Sequence, residues 1–241
     1  MNISKRFIPL LRKEDMFVNK LNIKTKELFE ECPISFLEET FDNSTYPWEI
    51  LPQIKEIIKR EIANGLKGYK EIEPGIFVGE NVKMAKTVTI EAPAIIGSGT
   101  ELRPGAYLRG NVIIGENCVI GNSSELKNCI LLYHVQVPHY NYVGDSILGS
   151  HSHMGAGSIC SNLKSDGKNI VIHGDRDYET GLRKIGAFLG DHADIGCGSV
   201  LNPGTIIGKN TQVYPLSMLR GVYPENSIVK STKVVVAKEG K

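Results

Sequence analysis

The stretch AIIGSGTELRPGAYLRGNVIIGENCVIGNS, residues 94–123, decides the fold. Within it an apolar side chain returns at every sixth residue, and the same spacing continues on both sides. A fixed period of this kind indicates a repeat architecture, in which each unit buries its apolar side chains only by stacking on its neighbours. The uninterrupted run is Val78, Met84, Ile90, Ile96, Leu102, Leu108, Ile114, Ile120, Leu126 and Leu132.

The period returns later in the chain, with a change of phase between the two blocks. Leu148, Met154 and Cys160 keep the spacing in a shifted phase, which predicts a short irregularity near residues 133–147. The second block consists of Leu189, Ile195, Leu201, Ile207, Val213 and Leu219.

Glycine and asparagine recur at fixed places in the hexad, as in Gly97, Gly99, Gly115 and Asn117. These residue types tolerate a positive φ, which a chain that turns a corner every few residues requires. Helix is excluded, since each interior glycine costs about 1 kcal/mol relative to alanine. Three hexads then form one triangular turn of about 18 residues, stacked on the next turn by parallel hydrogen bonds. We predict a mainly β fold, a parallel β-helix over residues 76–232 followed by a C-terminal tail over 233–241.

The first 75 residues have helical rather than sixfold spacing. Lys24–Cys32, Ile34–Phe41 and Gln53–Ala63 are predicted helices, and the last ends at Asn64-Gly65, a C-terminal cap signal. Residues 1–75 are therefore predicted to form a small helical cap or linker that packs against the end of the coil.

Charge and cysteine content exclude several classes of protein. The 28 basic and 27 acidic side chains leave a net charge of +1, so no general attraction to nucleic acid or to a membrane surface is expected. No apolar run is long enough for a membrane span or a signal peptide, which places the protein in the cytoplasm. The five cysteines form no CxxC pair, so neither a disulfide framework nor a zinc site is indicated.

Residues 121–168, GNSSELKNCILLYHVQVPHYNYVGDSILGSHSHMGAGSICSNLKSDGK, contain the motif HxxYxGD at 139–145. This stretch resembles the hexapeptide-repeat acyltransferase superfamily, and within it the acetyltransferase domain of bifunctional sugar-1-phosphate nucleotidylyltransferase/glucosamine-1-phosphate acetyltransferases. The resemblance implies a left-handed β-helix and a homotrimer. The segment YPWEILPQIKEII, residues 46–58, is similar to the one that joins the two domains of those enzymes. Because no GxGTR-type loop precedes it, we expect a chain without the nucleotidyltransferase domain.

The resemblance also implies roles for individual residues. His139 corresponds to the general base, a role that suits an imidazole with a free pKa near 6.5. Lys127 and Tyr142 correspond to residues that bind the sugar phosphate and its hydroxyls. Asn162 corresponds to a contact with the acceptor amine or sugar, and Lys168 to a phosphate contact.

Further assignments depend on where the family residues fall in the repeat. The family arginine precedes the lysine by one full turn, which favours Arg109 over Arg103 as the partner of Lys127 in a phosphate clamp. Two solvated charges are the alternative. Cys197 and Pro215 correspond to small residues that line the coenzyme A channel. His153 stands where the family has an asparagine.

Residues Ser161–Phe188 leave the hexad pattern, and a long excursion from a regular coil is usually functional or mobile. The resemblance suggests that its basic residues hold phosphates of coenzyme A or of the acceptor. A merely solvated loop is the alternative. The basic residues are Lys164, Lys168, Arg176, Arg183 and Lys184.

The predicted activity is transfer of an acyl group from acetyl-CoA to an amino-sugar phosphate or nucleotide amino-sugar, by direct attack of the amine and without a metal. A non-catalytic trimeric scaffold or regulatory protein is the alternative, favoured by the altered residues at His153, Cys197 and Pro215. A γ-type carbonic anhydrase fits less well, because its upstream histidine is absent. The histidines available for that reading are His134, His139, His151 and His153.

Overall fold

A computed structural model of the protein describes residues 21–30, 32–231 and 234–237. Residues 1–20 of the predicted cap, and residues 233 and 238–241 of the predicted tail, lie outside the described residues. The helices are α1 (Thr25–Leu28), α2 (Ser35–Asn43) and α3 (Ile54–Ala63), with 3-10 turns at Pro47–Glu49 and Leu51–Gln53. α3 is followed by Asn64 and Gly65, and Gly65 has a φ of +72°, as the cap signal predicts. None of the described helices is long and apolar enough to cross a membrane.

The strands are short, and nearly all of them pair in parallel. In chain order they are β1 (Lys70–Glu73), β2 (Ile76–Val78), β3 (Lys83–Met84), β4 (Thr89–Glu91), β5 (Ala94–Ile96), β6 (Glu101–Leu102), β7 (Tyr107–Arg109), β8 (Val112–Ile114), β9 (Val119–Asn122), β10 (Glu125–Leu131), β11 (Gln136–His139), β12 (Tyr142–Leu148), β13 (His153–Met154), β14 (Ile159–Cys160), β15 (Val171–His173), β16 (Asp177–Glu179), β17 (Ala187–Leu189), β18 (Asp194–Ile195), β19 (Val200–Leu201), β20 (Thr205–Ile207), β21 (Gln212–Val213), β22 (Met218–Leu219), β23 (Val222–Tyr223), β24 (Ser227–Ser231) and β25 (Val234–Ala237).

These strands stack into the three faces of a triangular coil of about nine turns. The first face contains β2, β5, β8, the second half of β10, the second half of β12, β17, β20 and β23. The second contains β3, β6, β9, β11, β13, β18, β21 and β24. The third contains β4, β7, the first halves of β10 and β12, β14, β19 and β22. The predicted left-handed parallel β-helix is confirmed.

The hexad residues point into the coil and form one continuous apolar core from Ile96 to Val229. One predicted member of the run is wrong: Leu131, rather than Leu132, stacks on Ile114 in the interior. The turn that contains Asn128 is one residue shorter than those before it, so the phase slips there, earlier than the predicted region 133–147. A second slip occurs at Asp145, inside the predicted region. Asn128 and Asp145 have φ of +47° and +48°, and each turns the corner as a single left-handed residue.

The first face also carries apolar side chains on its outer side, and those on its six central strands are fully buried. The helices lie over this face and bury Leu37, Ile54 and Ile58 against it. The cap therefore covers a side of the coil instead of its end, because the outer side of the first face is apolar and must be removed from water. The outer residues are Ile95, Ile113, Ile130, Ile147, Phe188 and Ile206.

The excursion leaves the coil after Cys160, and the coil resumes at Ala187. Its centre is an antiparallel hairpin of β15 and β16. Ile170, Ile172 and Ile185 are buried in the same apolar cluster as the helices, and Tyr178 meets Trp48 edge-on with ring centroids 6.1 Å apart. The hairpin and the helical segment thus cover the first face together and leave the outer side of the third face open.

Candidate functional site

The third face carries a polar outer surface on successive turns. Leu108 pairs with Leu126, which places Arg109 and Lys127, the next residue on each strand, on adjacent turns as predicted. Lys127 in turn pairs with Gly144. The two cations therefore lie one above the other, and the turn above them presents a glycine.

Arg109 already has an anionic partner on this surface. Its Nη1 lies 2.6 Å from Glu125 Oε1, and this hydrogen bond raises the pKa of the arginine. Lys127 has no ion pair with another residue in the described part of the chain. Lys127 is thus the uncompensated cation of the surface, while Glu125 orients Arg109. Sequence reasoning did not single out Glu125, although it stands two residues before Lys127 and alternates with it toward the outside.

Tyr142 lies above Glu125 and below Ile159. A Cβ on Gly144 would contact the Tyr142 hydroxyl and the Asn162 side-chain nitrogen, so the glycine leaves room for both groups. Burial raises the pKa of Tyr142, as do the nearby carboxylates, whereas a hydrogen bond with Asn162 acts to lower it. The structure therefore brings Tyr142 and Asn162 together beside Lys127, as predicted.

His139 ends β11 at the corner between the second and third faces. Its backbone is fixed: His139 N donates to Asn141 Oδ1 at 3.0 Å, and Gly157 N donates to His139 O at 2.9 Å. The Asn141 side chain is itself buried and donates to Gly155 O at 2.8 Å. His139 is exposed, so a fixed backbone presents an open imidazole three residues before Tyr142.

Small residues continue upward from His139 along the same corner. The order is set by backbone hydrogen bonds that join His139 to Gly157, Ala156 to Gly198 and Cys197 to Leu216. Ala156, Cys197 and Pro215 therefore follow His139 on successive turns, and all are exposed. We name His139, Ala156, Cys197 and Pro215 the corner strip. It ends at an apolar patch of Tyr214, Leu216 and Met218, whose side chains are 48%, 85% and 65% exposed.

Three basic residues of the excursion fall into two groups. Lys164 Nζ lies 3.4 Å from Asp166 Oδ2, and Lys168 N donates to Asp166 Oδ1 at 3.0 Å, directly after Asn162 in the chain. Lys168 is exposed. Arg176 instead lies 4.7 Å from the Tyr178 ring centroid, against the helical segment. Arg176 is therefore part of the contact with the helices, while Lys164 and Lys168 begin the loop next to Asn162.

Comparison with known proteins identifies the relatives of this chain. The family model described as the GMPPB C-terminal domain matches residues 90–176. The chain is 30% identical over 244 residues to the bifunctional protein GlmU of Methanococcus aeolicus, covering 87% of this chain and 59% of that protein. The chain is similar to the GlmU-type bifunctional proteins over the region that this match covers. This confirms the resemblance stated from residues 121–168.

A second relative of this chain is the bifunctional sugar-1-phosphate nucleotidylyltransferase/acetyltransferase of Sulfurisphaera tokodaii, 36% identical over 152 residues, with 57% of this chain and 38% of that protein covered. The chain spans about half the length of the curated relatives it matches. Among solved structures, PerB from Caulobacter crescentus in complex with CoA and GDP-perosamine is 16% identical, with a TM-score of 0.39, covering 61% of this chain and 52% of that one.

Four of the other five histidines lie on the coil at positions other than the corner of His139. His134, His151 and His192 stack at the corner between the first and second faces, with ring centroids 5.2 and 4.8 Å apart. His153 lies on the second face, where its Nδ1 is 2.8 Å from Asp194 Oδ1. In the part of the chain that the structure describes, no group of three or more histidine, cysteine or acidic residues could hold a metal ion.

Proposed function

We propose that this chain transfers an acetyl group from acetyl-CoA to the amine of an amino-sugar phosphate or nucleotide amino-sugar. The observation that carries the proposal is the position of His139. Its exposed imidazole lies where the corner strip meets the polar surface of the third face. A donor lying along the strip and an acceptor bound on the third face would therefore meet at one general base.

The corner strip suits an extended thioester. Its side chains are small or flat, and glycines flank them at Gly155, Gly157, Gly196 and Gly198. A pantetheine arm can therefore approach the backbone N–H and C=O groups of successive turns, which repeat at a spacing of about 4.8 Å. Cys197 and Pro215 are the side chains that would contact this arm, and the apolar patch beyond them would meet the far end of the donor.

The third face suits an anionic sugar. Lys127 offers a positive charge to phosphate, and Arg109 offers a fork of N–H donors that Glu125 holds in place. Lys168, at the start of the excursion, is exposed and supplies a further charge. Tyr142 and Asn162 meet above Gly144, next to Lys127, where they would contact the sugar hydroxyls and the amine.

The reaction then needs no covalent enzyme intermediate. The acceptor nitrogen attacks the thioester carbonyl carbon, and His139 accepts the proton that the nitrogen loses. A backbone N–H stabilises the oxyanion that forms. The carbon–sulfur bond breaks, the amide forms, and the coenzyme A thiolate takes up a proton as it leaves.

The test is a turnover assay with acetyl-CoA and a panel of amino-sugar phosphates, following free coenzyme A thiol. The His139→Ala variant is expected to lose activity by about 10²- to 10⁴-fold, the usual contribution of a general base. The matched control is His134→Asn, which changes a histidine on the opposite corner and is expected to keep activity. Undiminished turnover by His139→Ala would remove the proposed base.

The scaffold alternative predicts a different result. A calorimetric titration with coenzyme A that gives no binding, together with no turnover for any acceptor in the panel, would favour a scaffold. The homotrimer and the cytoplasmic location stay predictions. A light-scattering mass of three chains would support the first.

A further inference from the structure

Asp145 is a buried carboxylate at the corner between the third and first faces, and only 7% of it is exposed. Each of its oxygens accepts a hydrogen bond from a different asparagine. Asn128 Nδ2 donates to Oδ1 at 2.9 Å, and Asn162 Nδ2 donates to Oδ2 at 2.5 Å. Asp145 therefore joins the two short corners of the coil to the first residues of the excursion.

An ionised carboxylate only accepts hydrogen bonds, so it fixes the orientation of both amides. The NH₂ group of Asn162 must point toward Asp145. The hydrogen bond between Asn162 and Tyr142, which acts to lower the pKa of the tyrosine, occupies the same end of the amide. The carbonyl oxygen of Asn162 is consequently the end of this side chain that remains to accept from a bound amine.

The backbone around Asp145 also belongs to the excursion. Gly186 N donates to Asp145 O at 2.7 Å, and Ile185 N donates to Asn162 O at 3.1 Å. The last residues of the excursion are therefore hydrogen-bonded to Asp145 and to Asn162. Side chain and backbone together give Asn162 a single position. A position so fully determined is typical of a group that must meet a substrate in one geometry.

We infer that Asp145 is a positioning residue that directs the Asn162 carbonyl oxygen at the acceptor amine, through the contacts of both Asp145 oxygens and of the excursion's return. The inference rests on the proposed function. It assigns to Asp145 a role in acceptor binding and none in donor binding, because the corner strip lies on a different corner.

The first variant is Asp145→Asn, which keeps the shape and tolerates the positive φ. Its amide has one oxygen in place of two, so it can no longer accept from both Asn128 and Asn162. When its NH₂ group faces Asn162, Asn162 relieves the conflict by rotating its amide and turns a donor toward the acceptor amine. The KM for the acceptor is expected to rise about 10- to 100-fold, the effect of losing a hydrogen bond to a charged group. The KM for acetyl-CoA is expected to stay unchanged.

The reciprocal change separates positioning from a merely structural role. Asn162→Asp alone opposes two carboxylates, so acceptor binding is expected to weaken and to recover partly as the pH falls and one of them is protonated. Asn162→Asp combined with Asp145→Asn restores one donor facing one carboxylate and again presents an oxygen to the amine. The double variant is therefore expected to regain most of the lost acceptor affinity.

The control is Asn128→Ala, which removes the other partner of Asp145 and is expected to lower stability while leaving the acceptor KM nearly unchanged. If Asp145→Asn fails to fold, the Asn162→Asp variant and the double variant still give the comparison. Equal changes in both KM values, or no recovery in the double variant, would overturn the inference while wild-type turnover still supports the proposed function. Absence of turnover in the wild type would remove both.

Discussion

The first and third faces of the coil are built from the same hexad, yet their outer sides have opposite environments. On the first face the outer residues, such as Ile113 and Ile147, are fully buried beneath the helices and the hairpin. On the third face the outer residues, such as Arg109 and Lys127, remain in contact with solvent. The inner side is apolar on both faces. The two faces therefore differ in the polarity of the one outward-facing residue on each strand.

This difference teaches how a uniform coil acquires one functional surface. Parallel stacking satisfies the backbone equally on every face, so the fold does not depend on what the outer positions carry. Apolar outer residues are buried beneath the helices and the hairpin, whereas polar outer residues stay exposed and can bind ligands. Asp145 stands at the corner where the covered face and the open face meet.

The largest effect is expected when an outer isoleucine is replaced by alanine on each of the two faces. Ile147→Ala, beneath the cover, is expected to lower the free energy of unfolding by about 2–5 kcal/mol, as for other buried isoleucines. Ile159→Ala, on the open third face and 37% exposed, is expected to lower it by about 1 kcal/mol, because part of its side chain already contacts solvent. Urea unfolding of both variants measures the difference. Equal losses would mean that the cover adds no burial to the first face.

The sixfold period was enough to predict the coil and nearly all of its interior, because inward positions depend only on spacing and polarity. The phase slip at Asn128 lies earlier in the chain than the sixfold period predicts. The slip is a one-residue corner with a positive φ, and the sixfold run did not reveal it because Leu132, the next residue in the run, is also apolar. The side-on position of the helices was missed although Ile95 and Ile113 stand beside the inward residues Ile96 and Ile114. That doubling of apolar residues was a readable sign of a second buried side.

The grouping of Arg109, Lys127, Tyr142 and Asn162 followed from the resemblance combined with the length of a turn. The hydrogen bonds that these side chains make with carboxylates could not be predicted in this way. The Arg109–Glu125 pair and the Asn162–Asp145 hydrogen bond join side chains on neighbouring turns, and their formation depends on rotamers that a repeat pattern does not encode. To predict the role of a single residue, the register between turns must be known as well as the motif.

A smaller effect is expected where the helical segment is attached to the coil. Asp191 Oδ2 accepts from Glu30 N at 2.8 Å, and Oδ1 accepts from Ser150 N at 2.7 Å, while Asp191 N donates to Leu28 O at 3.0 Å. Asp191→Ala leaves two backbone donors without their acceptor and is expected to lower the free energy of unfolding by about 1–3 kcal/mol. Faster hydrogen exchange at Glu30 would accompany the loss.

Asp194→Ala is the matched control for that variant, because Asp194 is half exposed and its carboxylate pairs with the His153 side chain on the second face. Its effect is expected to stay below about 1 kcal/mol, the usual limit for an exposed ion pair. A loss as large as that of Asp191→Ala would show that the attachment of the helices is no stronger than a surface contact.

The smallest expected effect is a pH dependence at the stacked histidines. Burial lowers the pKa of His151, and the neighbouring His192 and His134 lower it further, against an opposing effect of Asp191. The folded state therefore binds the proton less tightly than the unfolded state. The contribution to stability is complete above the unfolded value of about 6.5 and is lost as the pH falls toward the folded value. His151→Asn keeps the positive φ, which asparagine adopts in the same column at Asn117 and Asn210. Urea unfolding at about pH 7 and about pH 5 is expected to show a smaller acid-induced loss in this variant, and equal losses would contradict the shift.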